Sequence, residues 1–277
     1  MVLSQLTNGI KIMLSFNNLG NLGRLANQMF QYASLKGIAR KNGYEFCIPS
    51  KDLFGISDLN VRSSDCTIHD CFDLSNIHQE IIKQPLLQEK GFGFDEQLLS
   101  NCPDNVDLFG YYQSEKYFKH IEDEIRKDFT FKQEVLDLSL DFFKNFENTK
   151  VISLHIRRGD YVVNSNHPVQ TIEYYEKALE YFDDTLPVLV FSDDSEWCKQ
   201  QELFIPDRFM ISEENSTDAD LCLMSLCKYH IIANSSYSWW GSWLAKSQRT
   251  IAPKKWFDGD CINHSTQDLY CSDWIII

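Results

Sequence analysis

The side chains best suited to chemistry fall in three short clusters, each directly after an apolar run. Arg157-Arg158-Gly159-Asp160 follows Val151 to Ile156, Ser192-Asp193-Asp194 follows Val188 to Phe191, and Asn234-Ser235-Ser236 follows Tyr229 to Ala233. An arginine fork matches two oxygens of a phosphate, stays charged at any working pH, and neutralises a diphosphate leaving group as its bond breaks. Strand alternation lets only one of Arg157 and Arg158 face a crevice easily while the other turns away. The alternative use of the pair is structural, in ion pairs with Asp160 or Asp193. Ser235 and Ser236 lie between a strand and a helix opening near Ser238, so they either cap that helix or offer hydroxyls and N–H groups to a phosphate. Asp220, in the acidic start of the preceding helix, is suited to pairing with the N1–H and amino group of guanine, or is an ordinary first-turn acid. His155, just before the arginines, is either a nucleotide contact or a buried histidine with its hydrogen bonds met.

These clusters need strands to present them. Val151 to Ile156, Val188 to Phe191 and Tyr229 to Ala233 are short, continuous and apolar, as expected of parallel strands covered on both faces. Helical stretches at Thr171 to Phe182, Ser195 to Leu203 and Asp218 to Lys228 supply the crossovers, Ser238 to Lys246 follows, and Thr250 to Ala252 reads as a further strand. The result is a doubly wound sheet with its polar residues at the carboxyl ends of the strands, where such sheets bind ligands. An earlier αβ region runs from a strand, Ile10 to Phe16, through the loop Asn17 to Leu25 with Gly20 and Gly23, into a helix reaching Lys41 and ended by Asn42-Gly43. Glu45 to Ile48 reads as a strand, Tyr111 to Phe129 as a helix, and residues 130 to 148 as helical and polar-faced. The boundary between the regions is placed at 148/149. Gly20, Gly23 and Asn27-Gln28 let backbone approach a ligand closely, although a lone glycine turn is a weak signal.

Composition narrows the partners. The 277 residues carry a formal net charge of −14, which argues against nucleic acid held on a basic surface. Nine cysteines, scattered without a C-x-x-C pair or ligand spacing, read as reduced thiols, so no metal is expected. No stretch approaches the roughly 20 apolar residues of a membrane span, and the amino terminus lacks a signal pattern, so the expected location is cytoplasmic with at most peripheral membrane contact. The apolar end Trp274 to Ile277 is read as a terminal strand. Phosphate-loop, zinc-protease and hydrolase-elbow motifs are missing from the sequence, as is a D-x-D flanked by strand hydrophobics.

Taken together, the segments resemble a known family. His155-Ile156-Arg157-Arg158-Gly159-Asp160-Tyr161 resembles the first signature of the α-1,2-fucosyltransferases, glycosyltransferase family 11, whose H-x-R-R-x-D core also occurs in α-1,6- and protein O-fucosyltransferases. Gly23 to Ala33 is similar to the amino-terminal signature, Phe191 to Asp194 to the second motif, Asn234 to Gly241 to the third, and Gly110 to Phe118 to a further segment. The matches run in order from residue 20 to residue 245.

The resemblance implies an α/β fold of the GT-B type, two facing Rossmann-like αβ domains, with residues 1–148 mainly on the acceptor side and 149–277 holding GDP-fucose. It implies that Arg157 holds the β-phosphate, His155 touches the nucleoside, Ser236 binds phosphate, Asp220 reads guanine and Asp193 supports the nucleoside pocket. Arg158, Ser235, Gly23 and Arg24 join the donor site. Asn27 comes across the cleft toward the glycosidic oxygen. It implies inversion by a single displacement, from β-linked fucose in GDP-fucose to α-linked fucose on the 2-hydroxyl of a galactose, without a divalent metal or cofactor. Asp160 is the nearest carboxylate for a base but can instead orient an arginine, and the position of the glutamate base in α-1,6 relatives is Ser165 here. Lacking the membrane anchor of animal members, the chain looks like the bacterial type, acting on a surface-glycan repeat or related galactosyl oligosaccharide. The competing expectations are a protein O-fucosyltransferase-like enzyme and an idle GDP-sugar or glycan-binding protein.

Overall fold

The computed structural model describes residues 12–54, 66–146, 149–213 and 216–277. The first half contains β1 (Met13–Ser15), α1 (Leu25–Asn42), β2 (Glu45–Pro49), α2 (Ile68–Cys71), β3 (Ile77–His78), β4 (Leu86–Gln88), α3 (Glu96–Ser100), β5 (Asp107–Phe109), α4 (Glu122–Asp128) and α5 (Gln133–Phe143). Its five strands form one parallel sheet in the order β3-β2-β1-β5-β4. The second half contains β6 (Ile152–Ile156), α6 (Ile172–Leu179), β7 (Val188–Ser192), α7 (Ser195–Lys199), β8 (Phe209–Ile211), α8 (Thr217–Leu226), β9 (Tyr229–Ile231), α9 (Ser236–Leu244), β10 (Arg249–Ala252) and β11 (Ile275–Ile276). These strands make a six-stranded parallel sheet, β11-β10-β9-β6-β7-β8. This is the expected α/β architecture of two Rossmann-like sheets.

Every residue of β6 is buried, the polar Ser153 and His155 included, as expected of a central strand covered on both faces. The carboxyl-terminal segment is a strand, β11, beside β10. Helix α1 ends where expected: Gly43 takes φ 72°, a conformation open to glycine, and its N–H bonds carbonyls of the last turn. Its neighbours explain why α1 is buried around most of its circumference, Gln28, Gln31, Ser34 and Lys36 included. It lies between the first sheet and α9, with Phe30 packed 4.5 Å from Trp239 and 4.9 Å from Trp240 between ring centroids.

Two expectations are corrected. Tyr111 to Phe129 is not one helix: Tyr112 has φ 51°, two 3-10 turns follow at Glu115–Tyr117 and Lys119–Ile121, and only α4 is α-helical. The cause is tertiary. Glu89 accepts the N–H groups of Tyr111 at 2.7 Å and Tyr112 at 3.0 Å, and Ser114 Oγ donates to the Asp268 carbonyl at 2.6 Å, which together hold the segment in turns. Strands β3, β4, β5 and β8 were missed as well. Within the first strand expected, Ile10 and Lys11 lie outside the described residues, as do residues 147 and 148 next to the expected boundary.

Packing crosses that boundary in both directions. Phe142, Phe143 and Phe146, at the end of α5, pack with Val151, Leu189 and Phe191 of the second half. Conversely, Trp239, Trp240, Trp256 and Leu269 belong to the same buried cluster as Leu14, Phe30 and Phe118. Among the described residues no helix is long and apolar enough to cross a membrane.

Candidate active site

Strand β6 ends at Ile156 and delivers the two arginines to different neighbours. Arg157 ion-pairs with Asp160, and its Nη1 lies 2.7 Å from Asp193 Oδ2, while its guanidinium sits 5.2 Å over the Tyr161 ring. Arg158 turns toward α7, where it pairs with Asp194 at 3.0 Å and lies 4.0 Å over the Trp197 ring. Asp193 also accepts the Arg158 N–H at 2.8 Å, so one carboxylate fixes both the backbone of the turn and the fork of Arg157. The expected split between the arginines therefore holds, and so does the ion pairing with Asp160 and Asp193. Gly159 is needed for that arrangement, because a Cβ there would meet Asp193 Oδ2 at 2.4 Å. Burial pushes the Tyr161 phenol up to about 12 against the opposing pull of Arg157, so this ring stays neutral beside the guanidinium.

A second group meets from both halves. Asn27 Oδ1 accepts from Gln113 Nε2 at 2.6 Å and from Ser236 Oγ at 3.2 Å, tying α1, the turn after β5 and the first residue of α9. Two donors on the oxygen leave the amide N–H groups of Asn27 for another partner. Gly23, at φ 80°, leaves the space that the Asn27 amide fills: a Cβ would lie 2.0 Å from Nδ2. Gly23→Ala is therefore expected to displace Asn27 and to lower kcat tenfold or more, on the order of one misplaced transition-state contact. Steady-state kinetics with unchanged far-UV circular dichroism check this, and wild-type turnover would contradict it. Arg24 precedes α1 as its N-cap residue, and its charge reaches Tyr161 across the cleft. Ser235 caps α9 through its side chain, which accepts the Tyr237 N–H, so capping and anion binding share this helix start.

A third group lies beneath. His155 is 4% exposed, with Nδ1 2.9 Å from Ser238 Oγ and its ring 5.6 Å from that of Tyr237. Burial, and then the charge of Arg157, push its imidazole down to about 3, so it is neutral at physiological pH. Of its two expected uses, the geometry matches the enclosed histidine with a met hydrogen bond, supporting the start of α9. Asp220 stands in the first turn of α8 and accepts from Ser212 Oγ at 2.6 Å. Tyr237, which donates to the Thr217 carbonyl at 2.5 Å, has its phenol pushed well up by burial and by the charge of Asp220. Tyr237 and Gln113 were not singled out from the sequence. Both lie inside family-like segments, Gly110 to Phe118 and Asn234 to Gly241, but nothing in those segments shows which distant residues they reach.

Two parallel αβ halves, with an arginine-bearing rim facing an asparagine from the other half, define a GT-B-like glycosyltransferase. The chain belongs to glycosyl transferase family 11, whose profile matches residues 5–277. It is 31% identical to the O-antigen biosynthesis glycosyltransferase WbnK of Escherichia coli, over 90% of this chain and 97% of that one. To the alpha-1,2-colitosyltransferase of Escherichia coli it is 34% identical, over 87% and 92%. Among solved structures, the fucosyltransferase NodZ from Bradyrhizobium shares the fold with a TM-score of 0.56 at 12% identity, covering 91% of this chain and 97% of that one. POFUT1 in complex with GDP-fucose gives 0.52 at 10% identity, over 87% and 96%.

Proposed function

We propose that the protein transfers L-fucose from GDP-fucose to the 2-hydroxyl of a terminal galactose in an oligosaccharide or surface-glycan repeat, with inversion at the anomeric carbon. The observation that carries this reading is a chain of contacts along one rim: Arg157 lies over Tyr161, whose hydroxyl donates to the Asn234 carbonyl just before α9, and Ser236 at the start of α9 donates to Asn27 of the other half. Guanidinium and helix N-terminus both favour the charge that grows on the departing diphosphate, which is the main demand of a dissociative glycosyl transfer. With that charge met by Arg157 and by Ser235 and Ser236, the reading requires no divalent metal or other cofactor. Asp160 and Asp193 hold the fork of Arg157; Asp160 serves as base only if the acceptor hydroxyl displaces the arginine from it. Asn27 directs its amide N–H groups to the glycosidic oxygen. Asp220, beside Tyr237, reads the guanine edge, with His155 and Ser238 bracing the floor. Gly23 and Arg24 close the donor site from the first half and Arg158 fixes its outer turn. The reading places the enzyme in the cytoplasm, with at most peripheral contact with a membrane.

A second donor has a specific observation behind it. The 34% identity to an alpha-1,2-colitosyltransferase favours GDP-colitose, whose sugar is fucose without its 3-hydroxyl. Both donors share the guanine and diphosphate contacts, so the first test is binding. GDP titrated calorimetrically is expected to bind with EDTA present, whereas UDP is not. Asp220→Ala is expected to weaken GDP at least about tenfold, the scale of a charged hydrogen-bond partner, and to leave acceptor KM unchanged. Equal affinity for GDP and UDP overturns the donor class. Turnover of GDP-fucose against GDP-colitose then separates the two sugars.

A further inference from the structure

The first sheet has a cavity that the donor chemistry does not use. It encloses about 310 Å³ and lies where the chain leaves β1, bordered by Asn17, Asn18, Leu53, Ile81, Lys83 and Asp107. It lies past the carboxyl end of β1, beside Asp107, the first residue of β5, with Ile81 to Gln84 on the segment that leads into β4.

The walls are built. Asn17 uses both ends of its amide on the backbone of Ile82, donating to its carbonyl at 2.7 Å and accepting its N–H at 3.2 Å. Gln84 donates to the Met13 carbonyl at 2.9 Å, and its Oε1 lies 2.8 Å from Ser15 Oγ, whose single proton it shares with Asp107. Asp107 is only 5% exposed, and the bonds it accepts, from Ser15 Oγ at 2.9 Å and the Asn17 N–H at 2.8 Å, both fall on Oδ1. Among the described ion pairs none neutralises it. A carboxylate enclosed this far without a cation is stabilised only by further hydrogen-bond donors. Neighbouring hydroxyls of a pyranose supply such donors in pairs, while Leu53 and Ile81 offer the apolar surface that the C–H face of a sugar ring covers.

We propose that this cavity is a saccharide subsite for the acceptor, in which Asp107 Oδ2 accepts from sugar hydroxyls and Asn18 and Lys83 hold the rim of the ring. The inference rests on the glycosyl-transfer reading above and deepens it. The same loop that leaves the cavity at Asn17 continues to Gly23 and Asn27, so a sugar seated here is joined by one short segment to the residue that faces the donor.

Saturation-transfer NMR with lactose and with lacto-N-tetraose, in the absence of donor, tests it. The wild-type protein is expected to bind at least one of them. Asn18→Ala and Lys83→Ala are expected to weaken binding roughly tenfold, the scale of one lost hydrogen bond, and Leu53→Trp, which fills the cavity, to abolish it. GDP affinity is expected to remain at the wild-type value in all three, which also shows that they are folded. Equal saccharide binding in wild type and variants, or no binding by the wild type, overturns the subsite. Transfer of fucose to lactose that persists in all three variants with unchanged acceptor KM likewise overturns the subsite and leaves the enzymatic reading standing. A wild-type protein that also binds no GDP removes the enzymatic reading itself.

Discussion

Arg157→Ala is expected to lower kcat at least about 100-fold, because the change removes the charge that the leaving diphosphate meets as the glycosidic bond breaks. The side chain is well placed for this and poorly replaceable. Its fork is held open by Asp160 and Asp193, and the neutral Tyr161 ring lies beneath it. Arg157→Lys keeps a cation but loses the planar fork, so it is expected to recover only part of the rate. Arg158→Ala provides the contrast: that guanidinium is turned onto Trp197 and Asp194, away from the Tyr161 side, and its loss is expected to cost stability more than turnover. Single-turnover kinetics at saturating donor separate these cases. Near-normal turnover in Arg157→Ala would remove it from the mechanism.

The largest expected effect on folding comes from Trp240→Ala. Trp240 is fully buried at 0% exposure and packs against Phe30, Phe118 and Phe129 of the first half as well as Trp243 of its own helix. Its Nε1 donates to the Ala26 carbonyl at 3.0 Å, one residue before Asn27. Removing the indole opens a large cavity between α1 and α9 and takes away the cross-helix bond to that carbonyl, for a loss of about 3–5 kcal/mol. Denaturant unfolding measures it. A loss below about 1 kcal/mol would mean that the two halves are not joined through this helix. The tryptophans of the third motif thus serve packing, and on the proposed reading the donor contacts fall to Ser235 and Ser236 at its start. Gly241 serves the same packing, since a Cβ there would meet Met224 at 2.8 Å.

The second half was the more legible in sequence for a physical reason. Strands β6 and β7 are enclosed on both sides, so burial makes them mostly apolar, with Ser153 and His155 the exceptions in β6, and the polar residues that follow these neighbouring parallel strands lie on one rim. The strands missed are short and sit partly in water: Leu86 in β4 is 57% exposed and Met210 in β8 is 43% exposed, which dilutes the pattern. Tyr111 to Phe129 is rich in aromatic and charged residues and reads as a helix, but the buried rings of Tyr112, Tyr117 and Phe118 are placed by clamped turns. In the site, the motif located Arg157, Asp160 and Asp193, yet its order along the chain says nothing of Gln113 reaching Asn27, because that contact is made by folding alone. His155 was left with two uses by its sequence position, and the structure adds that its ring is enclosed, bonded to Ser238 and beside Tyr237.

The central claim is tested most directly by incubating the purified protein with GDP-fucose and lactose in the presence of EDTA and determining the mass and linkage of the product. The account predicts a trisaccharide with α-linked fucose on the galactose 2-hydroxyl and one GDP released per transfer. GDP-fucose left intact, with neither fucosylated lactose nor GDP formed, would contradict it.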